Sequence, residues 1–350
     1  MKTPLCLLFK LPTLIVALLS LFISGCASMG MSTKPYQELA NQYANSTSKY
    51  LDVDGLTIHY QEEGSGPPLL LIHGVASSLH TWDGWVAQLK DRYRVIRLDL
   101  PGFGLTGPDP AMVDQEITEQ YMVEKIQGFM QGLGVQKFFI AGNSLGGYIA
   151  WNYAKQYPQN LYKMILLDSA GYPQDMPFWI GFASWPIISW VSPYVMPQYM
   201  VNWTIESAYA DEDKLTDDVR QRYFDLTLRE GNRKSYIEHF KMLRYKAGDE
   251  QLGAGVKDVI VPTLLMWGDQ DEWIPLEIME RFHADLPYSE YIVYEGVGHV
   301  PMEELPIQTA RDADNFFMSE LKSAQAHPQE DGIKFYDGST LQYGLDQSLD

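Results

Sequence analysis

Hydrophobic and polar positions follow two different periods along this chain. Short β-rich runs at residues 56–60, 69–73, 93–98, 137–141 and 161–167 are mostly separated by stretches with helical spacing. Two of the runs, Leu69-Leu70-Leu71-Ile72 and Met164-Ile165-Leu166-Leu167, are apolar at every position, so both faces of each strand need cover. That pattern predicts central parallel strands with helices above and below, a doubly wound α/β sheet. One covering helix is expected to start after Thr118, a suitable N-cap. It puts Met122, Ile126, Phe129, Met130 and Leu133 on one stripe before Gly134 stops it.

Between residues 172 and 256 the rhythm breaks. Phe178, Trp179, Phe182, Trp185, Trp190, Tyr194, Met196, Tyr199, Met200 and Trp203 crowd among prolines, followed by helical patterns near 217–228 and 233–245. Strand and helix patterns resume at 261–267, 275–286, 290–294 and 303–321. The spacing therefore predicts a core at 51–171 and 257–322, with residues 172–256 inserted between two sheet strands as a cap. Residues 26–50 are polar and aperiodic, which predicts a flexible tether without fixed fold. The tail, 323–350, is polar with scattered Phe335, Tyr336 and Tyr343, and no internal repeat is evident.

The first 25 residues have another character. Lys2 and Lys10 precede an apolar run at 11–23, which is short for a membrane span and suits the apolar region of a signal peptide. The formal net charge of −19 and 46% hydrophobic content fit a folded soluble protein and disfavour nucleic acid, whose phosphates such a chain repels.

The segment Ile23-Ser24-Gly25-Cys26 resembles the lipobox of bacterial lipoproteins. The resemblance implies that Cys26 is acylated and becomes the new N-terminus, tying the protein to the membrane of the cell envelope. Ala27 and Ser28 follow, with no aspartate next to the cysteine, which in a diderm bacterium resembles lipoproteins sent to the outer membrane. Cys6 and Cys26 are the only cysteines, so an exported domain cut before Cys26 and acylated there has no disulfide.

Chemistry is concentrated at three places. Gly142-Asn143-Ser144-Leu145-Gly146 lies between a strand pattern and a helix pattern, where two glycines permit a tight turn that holds a serine hydroxyl clear of the backbone. His299 follows Gly296-Val297-Gly298 directly after an apolar strand, and Trp267-Gly268-Asp269-Gln270-Asp271 follows another. A carboxylate of the second loop, Asp269 or Asp271, is placed to orient the histidine. Asp168, at the end of a central strand, is a further candidate.

In this order, serine then acid then histidine, the chain resembles the α/β-hydrolase family from about residue 51 to 321, most of the cap excepted. The resemblance implies a nucleophile at Ser144, a base at His299 and an acid at Asp271, since Gly268 and Pro275 match the family's Gly-x-x-Asp-x-x-x-Pro spacing. It also implies that His73-Gly74-Val75 is the oxyanion loop, with the N–H groups of Val75 and Leu145 as donors. His73, His80 and Asp99 are then structural.

Gly102-Phe103-Gly104-Leu105-Thr106-Gly107 formally matches a dinucleotide fingerprint, but Pro101 before it and Pro108-Asp109-Pro110 after it disrupt the helix that should bind phosphate. The seven histidines have no paired spacing with carboxylates, so neither a cofactor nor a metal is expected. The resulting expectation is a serine hydrolase acting on carboxylic esters, of lipids or short acyl groups. Two alternatives stand beside it. Carbon-carbon bond hydrolases share the Gly-Asn-Ser-x-Gly-Gly elbow, and a non-catalytic envelope lipoprotein could keep the fold and hold an apolar ligand under its cap.

Overall fold

The structure, a computed structural model, describes residues 28–112, 115–175, 185–247, 252–319 and 335–336. The signal segment with Cys26, most of the tail, and Phe178, Trp179 and Phe182 of the cap lie outside the described residues.

Eight strands form one sheet: Ser48–Val53 (β1), Leu56–Glu63 (β2), Pro68–Ile72 (β3), Arg94–Leu98 (β4), Phe138–Asn143 (β5), Leu161–Leu167 (β6), Thr263–Gly268 (β7) and Ser289–Tyr294 (β8). A two-residue strand from the tail, Phe335–Tyr336 (β9), pairs with β8. The order is β1-β2-β4-β3-β5-β6-β7-β8-β9, antiparallel where β2 meets β1 and β4 and parallel elsewhere. β1 and β2 join through Asp54 and Gly55, both at positive φ, the two-residue hairpin turn that matches strand twist. The all-apolar runs became the centre of the sheet: β3 is buried from Leu69 to Ile72, β5 and β7 along their whole length.

Thr118 caps helix Glu119–Gly132 by accepting the Tyr121 N–H at 3.2 Å, and the buried stripe of Met122, Ile126, Phe129 and Met130 lies against the sheet. There Phe129 meets Tyr60 edge-on at 5.2 Å. The expected helix at 303–321 is divided by Pro306 into Pro301–Glu304 and Pro306–Met318, the proline standing at the first position of the second piece, where its missing N–H costs nothing. Among the described residues, the cap helices Pro186–Val191, Gln198–Glu206, Asp217–Thr227 and Asn232–Ala247 interrupt the sheet between β6 and β7.

The expectation of an unstructured tether fails within residues 28–50. Tyr36–Tyr43 is a helix, and β1 already starts at Ser48. Leu39 is fully buried with Leu105 and Leu226, Tyr43 donates to Asp225 Oδ2 at 2.8 Å, and Lys34 pairs with the same carboxylate at 3.2 Å. The order comes from these distant partners in the cap, not from the segment's own apolar period.

The chain leaves β3 toward β4 on one side and later returns as β5 on the other. Such a reversal opens a crevice at the carboxyl ends of the strands. The loops after β3, β5, β7 and β8 all end there.

Candidate active site

Only Ser144 separates β5 from helix Leu145–Gln156, and it makes the turn at φ 56° and ψ −116°. This region is sparsely populated for an L-residue and costs about 1–3 kcal/mol, so the surroundings must enforce it. They do so through close packing around the glycines. A Cβ on Gly142 would lie 2.3 Å from the Gly146 carbonyl oxygen, and one on Gly146 would lie 2.2 Å from that of Ile72. The Ser144 N–H donates to Leu167 O at 3.0 Å, while its carbonyl accepts from Tyr148 and Ala170.

His299 and Asp271 meet at 2.8 Å, Nδ1 against Oδ2. A carboxylate only accepts, so Nδ1 carries the hydrogen and Nε2 is left with a lone pair. Nε2 is buried and has no hydrogen-bond partner among the described residues. Oδ1 of Asp271 accepts the N–H groups of Trp273 at 2.7 Å and Ile274 at 3.0 Å, which fixes the carboxylate from its other side.

The histidine loop is held from several directions. His299 donates its N–H to Ala208 O in the cap at 2.8 Å, and its carbonyl accepts from Asn143 Nδ2 at 2.9 Å. Trp273 stacks on the imidazole at 4.7 Å. Glu304, buried, accepts the N–H groups of Gly298, Ala210 and Asp211 and so joins the loop to the cap. Burial raises its carboxyl pKa even against those three hydrogen bonds. Trp273 and Glu304 were not anticipated from the sequence. The available signal was their closeness to Asp271 and His299 in the chain.

Asp269 and Asp271 have different surroundings. Asp269 accepts Gly296 N–H at 2.7 Å and shapes the loop, while Asp271 reaches the imidazole. Asp168 is fully buried at φ 43° and accepts Gly268 N–H at 3.0 Å. Burial, then the charge of Asp271 beside it, pushes its carboxyl pKa well above the ordinary value.

Asp168, Asp271 and His299 are also the one group, among the described residues, with the spacing to hold a metal ion. His299 Nδ1, both oxygens of Asp271 and Asp168 Oδ1 are engaged with one another and with backbone N–H groups.

Gly74 brings the loop after β3 against the elbow: a Cβ there would lie 3.0 Å from Asn143 Oδ1 and 3.2 Å from Ser144 Cβ. Val75 follows and lines the cavity beside Ser144. Leu145 is the first residue of its helix, so its N–H has no carbonyl within the helix to bond and sits at the positive end of the dipole.

His73 is buried with both nitrogens used, Nδ1 toward Gly74 O at 2.7 Å and Nε2 toward the Leu100 N–H at 3.0 Å. Burial lowers its pKa, so it serves as a neutral brace. His80 reaches Tyr43 O, and its pKa falls to about 4 through burial and the nearby Arg222. Asp99 accepts from His59 and from the N–H groups of Leu79 and Leu105. Burial opposes its charge, but the His59 hydrogen bond and the nearby His59, His73 and His80 rings together outweigh this and hold the pKa below the usual range. The Gly102–Gly107 segment folds over Asp99 as a turn: Gly104, at φ 48°, would press a Cβ into that carboxylate. After this turn comes the single 3₁₀ turn Pro110–Met112, and the next α-helix starts at Glu119.

Above Ser144 and His299 lies a cavity roofed by the cap. Met196, Met200, Val201, Ile205 and Phe240 give it apolar walls, with Ser77 and Tyr223 among its few polar groups. Among the described residues, no lysine or arginine lines it.

A serine on a strained strand-to-helix turn, a buried histidine–aspartate pair and a capped crevice at a sheet's carboxyl edge define a hydrolase of the α/β class. The chain belongs to the alpha/beta hydrolase fold family, whose model matches residues 67–306. Lipase 1 of Psychrobacter immobilis is 29% identical over 86% of this chain and 94% of its own length. A 2-hydroxy-6-oxo-6-phenylhexa-2,4-dienoate hydrolase of Comamonas testosteroni is 26% identical over 73% and 90%. Among solved structures, a bacterial membrane phospholipase A superposes with a TM-score of 0.67 at 26% identity, over 88% of this chain and 97% of that one.

Proposed function

We propose that the protein cleaves carboxylic esters through an acyl-enzyme on Ser144. Ser144 Oγ attacks the acyl carbonyl and gives its proton to His299 Nε2. Asp271 keeps the other imidazole nitrogen protonated and stabilises the imidazolium. The N–H groups of Val75 and Leu145 receive the developing oxyanion, each such donor contributing about 3 kcal/mol to the transition state. The imidazolium then protonates the leaving alcohol, and water, activated by the same histidine, releases the acid.

The observation that carries this reading is the His299–Asp271 pair beneath an apolar cavity that Ser144 also lines. The dienoate hydrolase among the relatives supports a carbon-carbon bond reading. A dienoate is an anion, however, and a cavity whose described residues include no lysine or arginine suits a neutral acyl group better. A series of p-nitrophenyl esters tests the proposal. Wild type should turn them over, with a rate that rises with acyl length until the cavity is filled, and Ser144→Ala should be inactive. Turnover that survives in Ser144→Ala would exclude this mechanism.

From its sequence we further propose that the protein is exported and lipid-anchored to the cell envelope through Cys26, at the outer membrane in a diderm organism. The intact mass of the membrane-extracted protein should correspond to a chain starting at Cys26 plus acyl groups. A mass showing residues 1–25 still attached would exclude it.

A further inference from the structure

The cap carries its apolar residues on the wrong side for a protein that stays in water. In helix Gln198–Glu206, Met200, Val201, Thr204 and Ile205 face the cavity, while Tyr199 and Trp203 on the opposite face are 69% and 49% exposed. Nearby in the chain, Ile187 and Trp190 are each 77% exposed and Tyr194 68%. Between Asp175 and Glu206 the sequence contains no charged residue at all, although charged residues make up 20% of the chain. Exposed apolar patches of this kind mark an interaction surface, and tryptophan with tyrosine is the pairing that lipid headgroup regions favour.

The course of the N-terminal segment indicates what covers the patch. Gly30 presses on the cap between helices Pro186–Val191 and Gln198–Glu206, so closely that a Cβ there would lie 2.0 Å from the Met196 carbonyl oxygen. Arg233 grips the carbonyls of Gly30 and Ser32, and Lys34 N–H bonds Leu228 O at 2.8 Å. Exposed Met29 and Met31 flank Gly30 and extend the apolar surface. Cys26 precedes Gly30 by four residues, which at full extension span about 14 Å. The apolar run at 11–23 is joined to the chain at the same point. A membrane attachment through this run or through a lipid on Cys26, as proposed above, would thus enter the fold within about 14 Å of Gly30.

We propose that the cap face formed by Trp185, Ile187, Trp190, Tyr194, Tyr199 and Trp203 lies in the surface of a lipid bilayer, with the catalytic cavity directly behind it. Docking is apolar in origin, because the face is uncharged and the chain as a whole is acidic. A zwitterionic phosphatidylcholine surface suffices, and salt leaves the contact unchanged. If the ester-hydrolase reading holds, on which only this corollary rests, the helix Gln198–Glu206 separates bilayer from active site and the substrates are acyl lipids taken from that bilayer.

The test uses the full chain reconstituted into phosphatidylcholine vesicles, with and without bromine on the acyl chains near the headgroup. Bromine quenches only tryptophan that enters the lipid. Trp82, Trp85, Trp151 and Trp267 are buried in the protein and shielded from it. Wild type should lose emission on brominated lipid equally at low and high salt. Most of that loss should vanish in the triple variant W185S/W190S/W203S, whose substitutions are at exposed positions and spare the core. Ser144→Ala should be quenched like wild type, so docking and hydrolysis fail separately. Equal quenching of wild type and triple variant, or none in either, would overturn the proposal. The second outcome is also what a face covered by another copy of the chain would give.

Discussion

Asp168 and Asp271, at the ends of the adjacent strands β6 and β7, bring two buried carboxyl groups within 4.8 Å of each other and of His299. Two such groups cannot both ionise at low cost in a water-excluded site. The hydrogen bonds divide the roles: Asp271 faces the imidazole and two backbone N–H groups, whereas Asp168 has one backbone donor and a raised carboxyl pKa.

Asp168→Asn should therefore keep most of the ester turnover, because the Asp168 hydrogen bond goes to Gly268 N–H and an amide oxygen of the same shape can accept it. Its effect should be seen in stability. The folded-state pKa is raised, so the folded protein binds the proton more tightly. Wild type should lose stability as pH climbs from the unfolded value near 3.9 toward the raised folded one. Asp168→Asn removes that loss, so its melting temperature should move upward relative to wild type with rising pH. A parallel pair of melting curves across pH 4–8 would contradict the assignment.

Asp271→Asn should lower kcat by about 10⁴-fold, since an amide no longer fixes the imidazole tautomer that leaves Nε2 free. Asp269→Asn should cost far less, because its carboxylate only shapes the turn at Gly296. Steady-state kinetics on one soluble ester would rank the two, and the opposite order would move the acid to Asp269.

Gly146→Ala should destabilise the fold by about 1–3 kcal/mol or more, because the added methyl meets the Ile72 carbonyl of β3, which cannot move without opening the sheet. Urea denaturation measures this. An unchanged midpoint would show that the elbow is looser than its packing implies.

Glu303 of the core takes hydroxyl donors from Tyr209 at 2.5 Å and Tyr223 at 3.0 Å, both in the cap, and from Thr81. Glu303→Gln weakens charge-assisted bonds of about 1.5–3 kcal/mol each in the intact network. Helices Gln198–Glu206 and Asp217–Thr227 should then exchange their amide hydrogens faster than in wild type while β5 and β6 do not. Uniform exchange would mean that Glu303 is not what closes the cap.

The sheet was legible where its strands are apolar on both faces, as in β3, β5 and β6, and Ser144, Asp271 and His299 stood out because each lies in a loop directly after a strand pattern. β1 was not, because only Val53 of its six residues is buried. Helix Tyr36–Tyr43 was hidden for a related reason: Leu39 is its one buried residue, and its remaining anchors lie about 180 residues away at Asp225. The closeness of Asp168 to Asp271 depends on β6 and β7 being neighbours across the whole cap insertion, which no local pattern encodes. The cap's aromatics were legible as a cluster, but not which of them face inward. Met196 and Met200 line the cavity, while Trp190 and Trp203 face out.

The central claim, an activated Ser144, is tested most directly by the intact mass of the protein after reaction with a fluorophosphonate, run beside Ser144→Ala and His299→Ala. One adduct on wild type, absent from Ser144→Ala and formed far more slowly on His299→Ala, is the expected result. An unlabelled wild type with a normal melting transition, or an adduct that persists in Ser144→Ala, would contradict it and leave the fold as a binding scaffold or the nucleophile elsewhere.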